Sequence, residues 1–221
     1  MLFLHGYLAN KNCFSYQYKF FERDFEVFGL DFKGFGQNTP MEYPYSLADY
    51  ENDLNEYMYK NGLIRPHVIA HSFGGRVAIK LSSNNPNAFN KLVLTGCAGL
   101  KPKYSFSRSA RRFLFKALKK VLPKERLKRF YSPDYLALDS VMKKSFSLIV
   151  NEHLDDRLKD VVNQTLIVHG KCDRETPPYM ARRLNKGIKN SRLIFFDGAG
   201  HFCFIDKPIK FNVEVREFLL S

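Results

Sequence analysis

The chain predicts an α/β protein: a mostly parallel sheet of about six strands flanked by helices and interrupted by a helical insertion. Three observations carry this. Short apolar runs rich in β-formers alternate with longer stretches of helical length and period. Several of the runs are apolar almost throughout, as strands covered on both faces of a parallel sheet are. One interval, residues 100–161, lacks a strand signal yet repeats apolar residues at helical spacing.

The expected strands lie at 2–4, 25–31, 67–70, 91–95, 165–168 and 193–196. The helix expected at 46–60 opens on Ser46 as a cap and sets Leu47, Tyr50, Leu54 and Met58 on one side. A helix at 74–81 follows directly on a strand end, and others are expected at 177–186 and 207–220. The last starts beside Pro208 and offers Phe211, Val213, Val215, Phe218 and Leu219 for packing on the sheet. Within the insertion, Phe113, Leu114, Ala117, Leu118, Val121 and Leu122 recur with helical period until Pro123, and a second helix is expected at 136–150 after Ser132-Pro133-Asp134. The domain reading is a body of residues 1–99 and 162–221 with a helical cap at 100–161.

At 221 residues, with 45% hydrophobic and 26% charged residues, the chain has the balance of one folded domain and not of a disordered or fibrous protein. The formal charge of +13 is unevenly spread. Residues 101–129 hold twelve Lys and Arg against Glu125, a net of +11, which leaves +2 for everything else. A near-neutral body with one basic insertion argues against a dedicated nucleic-acid binder. Cys13, Cys97, Cys172 and Cys203 lie far apart without C-x-x-C or finger spacing, so neither zinc nor a redox dithiol is suggested. The start, Met1-Leu-Phe-Leu-His5-Gly6, has no basic leader region, and no apolar run reaches the roughly 20 residues of a membrane span, so a cytoplasmic address is expected.

The chemistry concentrates in three loops. Residues 68–78, Val-Ile-Ala-His-Ser-Phe-Gly-Gly-Arg-Val-Ala, read as a strand, a sharp turn at Ser72 and a helix. Such a turn is strained and requires small residues two before and two after, which Ala70 and Gly74 supply. It places the Ser72 hydroxyl at a helix N-terminus, where the Phe73 N–H can hold developing negative charge. A serine needs a base, and the base needs an acid. Asp173 follows the strand at 165–168, and His201 follows the strand at 193–196 within Asp197-Gly-Ala-Gly-His. Glu175, Asp197 and Asp31 are the rival acids. Glu175 lies two residues beyond Asp173, Asp197 reads as a turn residue too close to the histidine in sequence, and Asp31 ends a neighbouring strand. His71, His5 and His169 read as packing or loop-bracing residues, and no histidine cluster suggests a metal.

The order Ser, Asp, His, taken with these turns, resembles the α/β-hydrolase superfamily from Leu2 nearly to the C-terminus. His5-Gly6-Tyr7 resembles the His-Gly-x turn, Asp31-Phe-Lys-Gly-Phe-Gly36 the Asp-x-x-Gly-x-Gly turn, and residues 70–75 the nucleophile elbow. Residues 170–177 and 198–208 are similar to the family's acid and histidine loops. The elbow departs from the pattern in beginning with Ala70 instead of Gly. The resemblance implies Ser72 as nucleophile, His201 as base, Asp173 as its orienting acid, and the backbone N–H groups of Tyr7 and Phe73 as the oxyanion hole. It implies no cofactor and no metal. It also aligns residues 2–4 with the third strand of an eight-stranded sheet. Either the body is a reduced six-stranded form or the true start lies upstream, and in the reduced form the strand at 25–31 becomes an open edge, to be met by a covering loop or a homodimer.

The expected function is a serine hydrolase that cleaves a carboxylic ester or related acyl substrate through an acyl-enzyme. Carbon–carbon bond hydrolysis, aminopeptidase action and acyl transfer stay open, as does a non-catalytic relative that binds a membrane or partner. Cap aromatics Tyr104, Phe106, Phe113, Phe115, Phe130, Tyr131, Tyr135 and Phe146 are expected either to line an apolar substrate pocket or to hold the cap together. The basic stretch reads first as a solvated helix face and second as a weak docking surface for anionic membrane, with a site for an anionic substrate as a further reading and nucleic acid last.

Overall fold

In the computed structural model, which describes residues 1–38, 40–103 and 133–221, the expected apolar runs form one sheet. Its strands are β1 (Leu2–Leu4), β2 (Phe28–Leu30), β3 (Val68–His71), β4 (Leu92–Thr95), β5 (Thr165–Gly170) and β6 (Ser191–Phe196). Their order is β2-β1-β3-β4-β5-β6, and every pairing is parallel. The register sets Leu4 beside Ala70, Ala70 beside Leu94 and Leu94 beside Ile167, so the strands end together at one edge. That edge receives the loops singled out above.

Because successive side chains point to opposite faces, the continuous apolar runs fill two cores. Leu2, Leu4, Val68, Ala70, Leu92, Leu94 and Ile167 pack on one face with α2 (Leu47–Lys60), α3 (Phe73–Asn84) and α6 (Pro178–Gly187). Phe3, Ile69, Val93, Leu166 and Val168 pack on the other with α1 (Ser15–Phe21), α7 (Cys203–Asp206) and α8 (Pro208–Leu220). Each such buried aliphatic or aromatic side chain contributes about 1.5–3 kcal/mol relative to exposure.

Helix α2 begins as its composition requires. The Asp49 N–H donates to Ser46 Oγ at 3.3 Å while Asp49 Oδ2 accepts from the Ser46 N–H at 2.7 Å, a reciprocal capping box. Leu47, Tyr50, Leu54 and Met58 are buried on its inner side. In α8 the buried set is Phe211, Val215 and Leu219, spaced by four, whereas Val213 is 43% exposed because it falls on the outer side of that stripe.

Several expectations need correction. The strand expected over 25–31 is confined to Phe28–Leu30, because Phe25 still bonds back to the Phe21 carbonyl at the end of α1. The helix expected over 136–150 is two helices, α4 (Pro133–Ala137) and α5 (Ser140–Asn151). Asp139 separates them by turning extended and accepting the Met142 N–H at 2.8 Å as the cap of α5. Composition gave no warning of α1 or α7. The β2 edge is partly covered by this chain's own side chains, since the Tyr57 hydroxyl donates to Gly29 O at 3.3 Å and Tyr18 packs directly on Gly29. The basic run at 104–129 and the aromatics Tyr104, Phe106, Phe113, Phe115, Phe130 and Tyr131 lie outside the described residues. Among the described residues, no helix is long and apolar enough to cross a membrane.

Helix α3 holds the C-terminal end of α5. Buried Arg76 donates to the Ile149 and Glu152 carbonyls, which sit in the last turn and at the C-cap of α5. Lys80 Nζ lies 2.5 Å from the Glu152 carboxylate. A guanidinium is well suited there, because the carbonyls at a helix end have no intrahelical partners and carry partial negative charge.

Helix α3 starts against β1 at van der Waals limits. A Cβ on Gly74 would stand 2.4 Å from the Leu4 carbonyl oxygen, and the Gly74 N–H already donates to His5 O at 3.0 Å. Since backbone on both sides must move to admit a methyl group, Gly74→Ala is expected to lose about 2–3 kcal/mol of stability. Urea unfolding midpoints measure this; wild-type stability in the variant would contradict the close approach.

Candidate active site

Ser72 has φ +49° and ψ −106°, a conformation that non-glycine residues adopt only under constraint. The constraint comes from β4 and α3. The Ser72 N–H donates to Thr95 O at 3.0 Å, and Ser72 O accepts from Ala98 N at 3.1 Å and Arg76 N at 3.2 Å. The side chain is only partly buried, and among the described residues its hydroxyl makes no hydrogen bond.

Beside it runs the loop that leaves β1. A Cβ placed on Gly6 would sit 3.4 Å from Ser72 Cβ, so this loop passes against the serine. Among the described residues, neither the Tyr7 nor the Phe73 N–H has a hydrogen-bond acceptor. The Phe73 group is free because it opens α3, where the first N–H groups have no intrahelical partner. The Tyr7 ring packs against Phe35 at 4.8 Å, Phe146 of α5 at 5.2 Å and Phe73 at 5.7 Å between centroids. Burial holds its phenol well above the usual tyrosine range, so it stays neutral. Phe146 also packs on Tyr135 at 5.7 Å, so both of the expected cap aromatics that are described join the ring cluster of Tyr7.

Asp173 and His201 are in direct contact, with His201 Nδ1 2.8 Å from Asp173 Oδ2. The loops that bear them are stitched together. Lys171 N donates to Phe196 O at 3.0 Å, Cys172 N donates to Ala199 O at 2.9 Å, and a Cβ on Gly170 would stand 2.1 Å from Gly200 O. Asp206 of α7 accepts the Gly200 N–H at 2.7 Å and orders the turn before the histidine. Asp173 is fully enclosed; Glu175 N and Thr176 N donate to its Oδ1, both at 2.9 Å, and the Thr176 hydroxyl donates to its Oδ2 at 2.8 Å. Burial alone would raise this carboxyl, but the His201 bond and charge and the Thr176 donors outweigh it and hold it below the ordinary carboxylate range.

The other nitrogen of His201 faces Glu175, with Nε2 3.4 Å from Oε2. Of the rival acids, Glu175 therefore approaches the histidine on the side opposite Asp173, from an exposed position. Asp197 pairs with Lys171 at 2.5 Å on the surface. Asp31 accepts Lys11 N at 2.7 Å and Gln37 N at 3.2 Å, bracing its own turn. The bracing histidines are likewise placed. His5 Nε2 accepts the Phe32 N–H at 3.1 Å, and His169 Nε2 donates to Thr176 O at 2.7 Å.

The sequence attaches no role to Thr176 or Asp206, and for His71 it predicts a packed or hydrogen-bonded ring. Thr176 was legible in principle, because an Asp followed by exposed N–H groups two and three residues on is a common turn pattern. The His71 ring lies 4.6 Å from that of His201 and 4.8 Å from Phe202, and His71 Nδ1 donates to Thr95 O at 3.1 Å. Between Thr176 and the C-terminal end of α5 is a cavity of about 190 Å³, lined in part by Ala98, Leu100, Val150, His153, Glu175 and Thr176. Among the described residues no cluster could hold a metal ion.

A parallel six-stranded sheet whose β3 turns at a strained serine into α3, with an Asp–His pair on the loops after β5 and β6 at the same edge, defines an α/β protein of hydrolase architecture. The chain belongs to the alpha/beta hydrolase family, whose sequence profile matches residues 1–214. It is 28% identical to the AB hydrolase superfamily protein YisY of Bacillus subtilis (strain 168), over 99% of this chain and 90% of that protein. It is 27% identical to a 2-hydroxy-6-oxononadienedioate/2-hydroxy-6-oxononatrienedioate hydrolase of Pseudomonas putida, over 88% of this chain and 77% of that one. Among solved structures, an esterase from Exiguobacterium antarcticum has the same fold, with TM-score 0.79 and 24% identity over 100% of this chain and 91% of that one.

Burial, with His201 beside it, pushes His71 down to about 3 from 6.5. The unfolded chain therefore binds a proton at this residue below 6.5 while the folded protein does not, so stability is lost as pH falls through that window. At pH 5 the cost through His71 alone is about 2 kcal/mol. Unfolding midpoints at pH 7 and pH 5 are expected to differ less in His71→Phe, which keeps an aromatic ring in place, than in the wild type. An equal drop in both proteins would contradict the assignment.

Proposed function

We propose that the protein is a serine hydrolase that cleaves a carboxylic ester or related acyl substrate through an acyl-enzyme. The observation that carries this reading is the Asp173–His201 bond of 2.8 Å at the sheet edge where Ser72 sits on a strained turn. In this reading Ser72 Oγ attacks the substrate carbonyl as its proton passes to His201 Nε2. The imidazolium so formed is stabilised by Asp173, whose carboxyl is held in its charged form. The negative charge that develops on the carbonyl oxygen is met by the free N–H groups of Tyr7 and Phe73. Collapse expels the leaving group, which takes the proton back from Nε2, and water repeats the sequence on the acyl-enzyme.

Glu175 lies 3.4 Å from Nε2, so this cycle requires its carboxylate to swing aside, which an exposed side chain can do at small cost. The enclosing aromatics Tyr7, Phe73 and Phe146 favour an apolar group on the substrate. No group in this scheme calls for a cofactor.

A second reading, hydrolysis of a carbon–carbon bond beside a ketone, draws support from the Pseudomonas putida relative named for a hydrolase of that kind of substrate. The same serine, histidine and aspartate would serve it. Parallel panels of esters, thioesters and vinylogous diketo acids separate the two by kcat/KM.

A fluorophosphonate probe is expected to label the wild type and to leave Ser72→Ala unlabelled; equal labelling of both would overturn the nucleophile. With short-chain p-nitrophenyl esters, His201→Ala and Asp173→Asn are expected to lower kcat by about three to four orders of magnitude. Turnover unchanged in either variant would remove that residue from the mechanism.

A further inference from the structure

We propose that Thr176 is a positioning residue for the reaction, holding the Asp173 carboxylate by one bond to each of its oxygens and so aiming it at His201. This rests on the serine-hydrolase reading for its chemistry, but the geometry stands by itself.

A carboxylate has about four lone-pair directions, and in a buried site an unfilled one is costly. All four are filled on Asp173. Oδ1 accepts from Glu175 N and Thr176 N, and Oδ2 accepts from His201 Nδ1 and the Thr176 hydroxyl. Thr176 alone supplies a donor to both oxygens, at 2.9 Å from its N–H and 2.8 Å from its hydroxyl. Two bonds from one rigid residue prevent the carboxylate plane from turning, and the plane decides whether the remaining Oδ2 lone pair meets His201 Nδ1.

The hydroxyl is itself held. It has one proton and two nearby acceptors, Asp173 Oδ2 at 2.8 Å and Gly96 O at 3.1 Å. The charged and nearer acceptor makes the stronger bond. The Gly96 carbonyl lies just past β4, so Thr176 rests against the strand whose Thr95 carbonyl anchors Ser72 N. Its own carbonyl accepts from His169 Nε2 at 2.7 Å, and the residue is only 6% exposed. One threonine thus connects the ends of β4 and β5 to the acid and, at 3.4 Å, touches His201 Nδ1. A valine here has the same shape and lacks only the hydroxyl. Oδ2 then loses one of its two donors, and only the bond to His201 itself opposes rotation of the carboxylate about its Oδ1 bonds.

The test compares Thr176→Val with Thr176→Ser, which restores the hydroxyl. Two readouts are taken: the rate of fluorophosphonate labelling of Ser72, normalised to the fraction that labels at completion, and the low-field proton resonance of His201 Nδ1–H, assigned by its loss in Asp173→Asn. Thr176→Val is expected to label at least about tenfold more slowly, the effect of removing a hydrogen bond to a charged group, with the resonance shifted or broadened. Thr176→Ser is expected within about threefold of the wild type with the resonance restored. On a turned-over ester the loss falls on kcat and not on KM. Wild-type labelling and resonance in Thr176→Val, equal impairment of both variants, or no low-field resonance in the wild type would each overturn the proposal. A wild type that shows the resonance yet is not labelled at Ser72 would defeat the serine-hydrolase reading, while the response of the resonance to Thr176→Val still decides the clamp.

Discussion

The enclosed carboxylate of Asp173 is the constraint around which the upper edge of the sheet is organised. A charge taken out of water must recover its lost hydration from fixed donors. Here the donors come from the residue's own loop and from His201, so the loops after β5 and β6 cannot separate without exposing unmet polar groups. The cost of burying the acid is offset by the same bonds that orient the imidazole, and stability and positioning become one requirement. His169 and Asp206 extend the arrangement outward, one holding the Thr176 carbonyl and the other the Gly200 N–H.

On the opposite side of the site the constraint is steric. Ser72 keeps a conformation of positive φ because β4 bonds its N–H and the loop after β4 bonds its carbonyl while α3 is pressed onto the end of β1. Such strain persists only where the surroundings over-determine it. The result is a partly exposed hydroxyl at the start of α3 and against the loop leaving β1, with the Phe73 and Tyr7 N–H groups lacking an acceptor among the described residues. His71 joins the two halves, with its neutral ring lying against the histidine loop and the Gly6 backbone.

Family membership carries the architecture and the general class of hydrolase, and it stops there. The relatives bear names of different activities, and one fold hosts many chemistries through the shape of its loops and insertions. In this chain α5 brings Phe146 against Tyr7 and is fastened at its C-terminal end by Arg76. An exposed carboxylate, Glu175, stands at His201 Nε2, and a small cavity is lined in part by Glu175 and Thr176.

The six strands, the turn at Ser72 and the loops of Asp173 and His201 were legible in the amino-acid order, because they depend on local rules. Apolar runs seek a two-sided core, Ala70 and Gly74 permit a sharp turn, and Ser46 caps its helix through Asp49 three residues on. The extent of β2, the break at Asp139 and the outward turn of Val213 were not, since each is decided by what the segment packs against. The same holds for Thr176, which in sequence is a threonine before a proline. Its bonds to Asp173, three residues back, follow a local turn pattern, but it reaches Gly96 and His201 only when β4, β5 and β6 lie side by side. Sequence by itself determined which residue types stand at the strand ends; the tertiary structure decided which of them touch, because hydrogen bonds across eighty residues depend on sheet order and not on spacing along the chain.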